Sequence, residues 1–197
     1  MEEIKLNNFG VLIDSINSKD FKHIKKECLD KKNRKKYTTG ITSKNIASHF
    51  ELKNTRDLLF KFVSKKIKEY EDKYNYLKTI KTFNSKKELS FTTPWFNVQK
   101  QGEYLSNHFH DGVLSYTMWV DIPFSNKEGD EENEKYNSCF ELLYSNIVGQ
   151  ISGHKIFIDK SYEGKMIMFP STLLHCVYPF YKTKGERISI AGNVVIK

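Results

Sequence analysis

From Leu89 onward the chain breaks into short runs of β-branched and aromatic residues separated by polar turns. The runs are Leu89 to Val98, Val113 to Ile122, Phe140 to Tyr144, Ile147 to Ile151, Lys155 to Ile158, Lys165 to Phe169, His175 to Tyr178 and Arg187 to Ile196. Strands this short cannot bury an apolar face alone. At this spacing they pair antiparallel and pack face to face as a sandwich or barrel.

The first half has a different period. Ile4 to Ile13 alternates loosely and ends in Phe9-Gly-Val-Leu-Ile13, which reads as a strand. Ser18 stands in an N-cap position before Phe21, Ile24 and Cys28 at helical spacing. Gly40 to Asn54 is polar and irregular, and His49 within it reads as a surface or packing histidine. From Asn54, apolar residues recur every three or four positions through Leu58, Phe62, Val63, Ile67, Tyr70 and Leu77, predicting a long amphipathic helix that needs a sheet to lie on. The expectation is an α+β, mostly β, single domain over residues 1–197. Residues 1–88 supply a strand and helices, and 89–197 supply the strand-built core.

Composition removes several function classes. The net charge of +8 invites a nucleic-acid partner, but it is almost all lysine, and Arg34, Arg56 and Arg187 are the only arginines. Arginine is the residue that grips phosphates and base edges bidentately, so the charge is read as a solvated lysine surface. Cys28, Cys139 and Cys176 are odd in number and widely spaced, giving neither a disulfide framework nor a zinc knuckle. No run of about 18 apolar residues occurs, and the start lacks the pattern of a secretory signal, so no membrane partner and a cytoplasmic location are expected. The acidic stretch Asn126 to Glu134 lacks the alternating acids of a calcium loop and reads as a surface loop or a lid.

The chemistry concentrates in Asn107-His-Phe-His110-Asp-Gly112. Alternate residues of a strand share a face, so His108 and His110 can close on one metal ion. His175, delivered by a distant segment, would complete a set of three nitrogen ligands and leave positions open for substrates. If the strand runs straight through Gly112, Tyr116 lies on the same face as the two histidines. The polar turn Lys182 to Gly185 suggests a hairpin that returns Arg187 beside His175. Arg187 and Ser189 then share a face, and a guanidinium fork beside a hydroxyl suits a carboxylate.

His108-x-His110, Phe-Pro-Ser171 followed four residues on by His175, and Arg187-x-Ser189 together resemble the 2-oxoglutarate and iron(II)-dependent dioxygenases, near their prolyl-hydroxylase-like branch, and in particular little-characterised members from bacteria and phages. The resemblance spans Trp95 to Asn193. It implies a double-stranded β-helix, or jelly roll, with flanking helices, Fe(II) as the metal, and 2-oxoglutarate and O2 as cosubstrates. Mapped by position, His108 and His175 are metal ligands, Arg187 and Ser189 hold 2-oxoglutarate, and Tyr116 assists. Trp95, Asn97 and Tyr104 precede the ligands and are candidates for the substrate mouth.

His110 departs from the pattern, because it occupies the place of a carboxylate. Three imidazoles give a site one unit more positive than two imidazoles and a carboxylate. Asp111 could supply the carboxylate only if a bulge re-aimed it. A third arrangement takes His110 as first ligand with Gly112 two places on, as in halogenating relatives, and leaves His108 without a role. The expected reaction is hydroxylation of a C–H bond with decarboxylation of 2-oxoglutarate to succinate. The rivals are a three-histidine, cupin-like dioxygenase that needs no 2-oxoglutarate, and a jelly-roll binding module. The primary substrate, whether peptide, nucleobase or metabolite, is not encoded in a readable motif.

Overall fold

The computed structural model describes residues 9–37, 47–80, 87–124 and 136–197. The acidic stretch Asn126 to Glu134 and the first part of the expected N-terminal strand lie outside the described residues. Within them, two antiparallel sheets face each other, and two helices cover the outer face of the larger one.

The larger sheet contains β1 (Leu12–Ser15), β2 (Ser48–Glu51), β3 (Leu89–Phe91), β4 (Trp95–Gln99), β6 (Leu114–Asp121), β9 (Lys165–Pro170) and β11 (Arg187–Ile196), and runs β1-β9-β6-β11-β4-β2, with β3 also pairing with β11. The smaller sheet runs β5 (Leu105–His108), β10 (Leu174–Val177), β7 (Cys139–Ser145) and β8 (Ile151–Phe157). The mostly β, jelly-roll expectation agrees with this architecture.

Alternation along the strands of the larger sheet sorts side chains onto two cores. Leu114, Tyr116, Met118 and Val120 of β6, with Ile188, Ile190 and Val194 of β11, face the helices. Trp119 of β6, with Ile167 and Phe169 of β9, faces the smaller sheet and meets Phe140, Leu142 and Ile156 there. A one-residue slip in register would exchange these sets, so the pattern of apolar residues fixes the pairing.

The first helix, α1 (Ser18–Leu29), is capped by Asn17, whose side chain accepts from the Asp20 backbone N–H at 3.0 Å, so the cap lies one residue before the expected Ser18. The second, α2 (Arg56–Tyr74), buries Leu59, Val63, Lys66 and Tyr70, a stripe spaced by three and four residues. Lys66 is 3% exposed and donates to Asp14 and to Glu69, which ties the helix to β1. The Glu27 carboxylate of α1 accepts from the backbone N–H groups of Lys53, Asn54 and Thr55, each at 2.8 Å, and so braces the entry to α2.

Three sequence expectations need correction. Leu89 to Val98 is two strands, because Pro94 lacks the N–H to continue one ladder. Of the Ile147–Ile151 run, Ile147 to Gln150 form the turn between β7 and β8 and Ile151 opens β8; the Asn146 side chain accepts from the Val148 and Gln150 N–H groups at 3.1 and 3.0 Å. The segment Gly40 to Asn54 supplies β2, an edge strand too short to show alternation. No helix among the described residues is long and apolar enough to cross a membrane.

Candidate metal and cosubstrate site

The two ends of the metal constellation meet because β5 and β10 are neighbours, with His108 directly opposite His175 in the ladder. His110 lies beyond the end of β5, in a bend held by its backbone N–H donating to the Ser171 carbonyl at 2.9 Å. Gly112 makes that bend possible: a Cβ there would sit 2.7 Å from Ser171 Oγ and 2.8 Å from the Val194 carbonyl oxygen. Behind the bend, the Ser115 hydroxyl donates to Asn193 Oδ1 (2.8 Å) and its oxygen accepts from the Ser171 hydroxyl (2.9 Å).

One ring nitrogen from each of His108, His110 and His175 lies within 4.8 Å of the other two, and this is the one cluster of three or more His, Cys, Asp or Glu side chains among the described residues placed to hold a metal ion. The rings are separated by 4.2 to 5.2 Å between centroids. His108 Nδ1 lies 2.7 Å from the Ser106 carbonyl and His175 Nδ1 lies 2.8 Å from that of Leu173. A carbonyl oxygen only accepts, so both Nδ1 atoms carry the proton and both Nε2 atoms keep a lone pair, the tautomer that metal-ligating histidines adopt. Burial, then the proximity of His108, lowers the His175 imidazole to about 3, and the same two causes lower His110 to about 4. At neutral pH these rings are therefore uncharged. The donor set fits a divalent metal of the iron class, for which imidazole is a suitable ligand.

The three imidazoles border a cavity of about 260 Å³ between the sheets. Its larger-sheet wall is built from residues of one parity: Trp95, Asn97 and Gln99 on β4, and Ser189, Ala191 and Asn193 on β11. Trp95 Nε1 donates to Asn97 Oδ1 at 3.1 Å, and Asn97 Nδ2 donates to Ser189 Oγ at 3.4 Å. The Trp95 indole stacks on Tyr37, with centroids 5.5 Å apart and planes 3° from parallel, and its edge approaches His110.

The expected site residues divide as follows. His108, His110, His175, Ser189, Trp95 and Asn97 all line the cavity. Tyr104 is 43% exposed and is not part of its wall. Tyr116 points the other way, into the core beneath the helices, because the bend from Phe109 to Val113 breaks the strand and reverses parity, so that Thr117 lines the cavity instead. The expected hairpin between His175 and Arg187 does not form: β10 and β11 belong to different sheets, and Arg187 pairs with Gln99. Asp111 is not among the cavity-lining residues.

Arg187 lies on the cavity-facing parity of β11 but behind Gln99. It is 3% exposed, donating through Nε (3.0 Å) and Nη2 (2.6 Å) to Gln99 Oε1, through Nη2 to the Tyr178 carbonyl (2.6 Å) and through Nη1 to that of Ser138 (2.9 Å). Sequence reasoning missed Gln99, Tyr37, His49 and Asn193. His49 is the cross-strand partner of Asn97 and forms part of the cavity wall, and burial lowers its pKa below the ordinary value. The signal for Gln99 was available, since it has the same parity as Trp95 and Asn97.

The two sheets thus enclose a cavity bordered by three imidazoles, with the Arg187 guanidinium buried behind Gln99 in its wall. Residues 93–193 match the family model for 2OG-Fe(II) oxygenases, and the chain belongs to that family. Among solved structures it is similar to a prolyl-4-hydroxylase from Pseudomonas putida, with 12% identity over 93% of this chain and 91% of the other and a TM-score of 0.61. It is also similar to a viral collagen prolyl hydroxylase from Paramecium bursaria Chlorella virus-1 described as a 2OG complex (14% identity, 95% and 96% covered, TM-score 0.55). A third is HygX from Streptomyces hygroscopicus, described with nickel, 2-oxoglutarate and hygromycin B bound (9% identity, 94% and 82% covered, TM-score 0.54). At these identities the likeness is one of fold. No curated protein matches in sequence.

Proposed function

We propose that the protein is an Fe(II)- and 2-oxoglutarate-dependent dioxygenase that hydroxylates a C–H bond, with His108, His110 and His175 as the metal ligands. The observation that carries the reading is the convergence of these three ring nitrogens within 4.8 Å at the edge of the cavity. Iron(II) held there, supplied with 2-oxoglutarate and O2, provides the oxidising chemistry whose balance is R–H + 2-oxoglutarate + O2 giving R–OH, succinate and CO2.

The chain's own groups bind and orient. The Ser106 and Leu173 carbonyls hold the Nδ1 protons and so aim Nε2 of His108 and His175 at the metal. Phe140 and Phe169, with centroids 5.6 and 4.8 Å from the His175 ring, keep water from one side of it. Ser189 and Asn97 offer hydrogen bonds along the cavity wall between the metal end and Arg187, which supplies the positive charge for the distal carboxylate of 2-oxoglutarate. Trp95 and Tyr37 present a flat aromatic face at the cavity, against which a substrate ring or chain can lie.

The test is anaerobic loading of untagged protein with Fe(II), followed by O2 and labelled 2-oxoglutarate. Succinate should form above background even without a primary substrate, and His175→Ala should lose stoichiometric metal. Retained metal in His175→Ala would remove the triad from the reading. The presence of His110 where a carboxylate is expected favours, as the second reading, a three-histidine dioxygenase that uses no 2-oxoglutarate. Full metal retention with no succinate would select it.

A further inference from the structure

We infer that the carboxamide of Gln99 stands on Arg187 where the distal carboxylate of 2-oxoglutarate has to bind, and that exchange of one for the other sets how tightly a dicarboxylate is held. The inference rests on the functional reading above and adds to it a specificity-determining residue. A carboxylate approaching a guanidinium from the cavity would meet its Nε–Nη2 edge, and that edge is taken: a single oxygen, Gln99 Oε1, accepts from both nitrogens at 3.0 and 2.6 Å. The remaining N–H groups of the fork are turned to the Ser138 and Tyr178 carbonyls, which belong to the backbone. Gln99 is the cavity-lining group in this arrangement, and is 5% exposed.

The amide is well seated, because its Nε2 donates to the Glu103 carbonyl and, at 3.5 Å, to that of Tyr178. It is also the one of these acceptors on a rotatable side chain. An ionised acceptor on a guanidinium makes a shorter, stronger bond than a neutral amide oxygen, so an incoming carboxylate has the advantage at Arg187. The opposing cost is the loss of the bonds that hold Gln99, each worth about 0.5–1.5 kcal/mol net. The observed dicarboxylate affinity is the difference between these, and a keto acid with no distal carboxylate gains nothing from the exchange. Discrimination between the two classes of keto acid therefore passes through Gln99.

The experiment titrates Mn(II)-loaded protein with 2-oxoglutarate and, separately, with 2-oxobutanoate, which has the keto-acid end but no second carboxylate, reading Kd by calorimetry. Gln99→Ala removes the competitor and should tighten 2-oxoglutarate severalfold. Gln99→Glu keeps the shape and places a permanent carboxylate on Arg187, and should weaken 2-oxoglutarate by about tenfold or more. Both variants should leave 2-oxobutanoate and Mn(II) affinity within about twofold. If wild type binds 2-oxoglutarate and Gln99→Ala weakens it or Gln99→Glu leaves it unchanged, Gln99 is a supporting contact and the inference is overturned while the functional reading stands. If wild type binds neither keto acid, the functional reading falls and the inference with it.

Discussion

Tyr116→Phe separates two accounts of one residue. Its sequence position suggested a phenol facing the cosubstrate. The structure instead buries it to 1% exposure beneath the helices, its hydroxyl having no hydrogen-bond partner among the described residues. A buried hydroxyl without a partner carries a desolvation penalty of about 1–3 kcal/mol, which the phenylalanine does not incur. Removing the oxygen leaves a void of roughly 15 Å³, costing ~0.4 kcal/mol at about 24 cal/mol per Å³. The balance favours the variant by about 1 kcal/mol, or about 2–4 °C in Tm for a chain of this size. Thermal and urea denaturation of metal-free protein measure it, with 2-oxoglutarate binding titrated alongside. A lower Tm would mean that the hydroxyl is satisfied and holds the core together. Weakened 2-oxoglutarate binding would return Tyr116 to the site and refute the parity assignment of β6.

Gly192→Ala should destabilise by about 1–3 kcal/mol in urea titrations, because its Cβ would lie 2.3 Å from the Tyr116 hydroxyl oxygen, and Tyr116→Leu in the same chain should recover part of the loss. Gly112→Ala should reduce metal affinity about tenfold or more in competition titrations, since it displaces the bend that carries His110 against the fixed Val194 carbonyl. His110→Asp should retain Fe(II), read by metal analysis, and His110→Ala should weaken it; unchanged affinity in His110→Ala would show that this ring is not a ligand. The hydrogen bond from Lys66 holds the Asp14 carboxyl below its ordinary 3.8. The stability it contributes is therefore full above that value and lost as pH falls through the lowered one. The stability difference between wild type and Asp14→Asn should be constant at neutral pH and close below about pH 4, and a difference that persists at pH 2 would exclude the pair as its source.

The strands of the second half were legible because a two-residue period leaves a direct trace in the sequence. Trp119, Ile167 and Phe169 on one face, with Met118, Met166 and Met168 on the other, are spaced as a two-sided sheet demands. The His108–His175 pairing was legible only as a constellation, since what unites them is a ladder between strands nearly 70 residues apart in the chain. Three failures share one cause, which is that parity and partner are not local properties. Tyr116 was misplaced because a bend at Gly112 reverses alternation without any change in residue type. The hairpin placing Arg187 beside His175 was misread because a polar turn looks the same whether it joins neighbours or crosses between sheets. His49 was passed over because a four-residue edge strand shows no periodicity, and its role in the cavity wall comes from its neighbour Asn97.

The chain's net charge and the cavity's chemistry turn out to be separate matters. The +8 is carried almost entirely by lysines, while among the described residues the cavity lining includes no lysine, arginine, aspartate or glutamate. With His110 and His175 held neutral by burial, the wall contributes hydrogen bonds and little field. A divalent metal on the proposed three imidazoles would bring two positive charges to the cavity, and Arg187 holds one behind Gln99. An anion with a charge at each end can meet both, whereas a monoanion meets one and leaves the Gln99 amide on the guanidinium. With His110 as the proposed third ligand in place of a carboxylate, the metal end would be more positive and would favour an anionic ligand more strongly. Under the proposed ligand set, a third imidazole at the metal and a guanidinium at Arg187 are thus compatible in electrostatic terms.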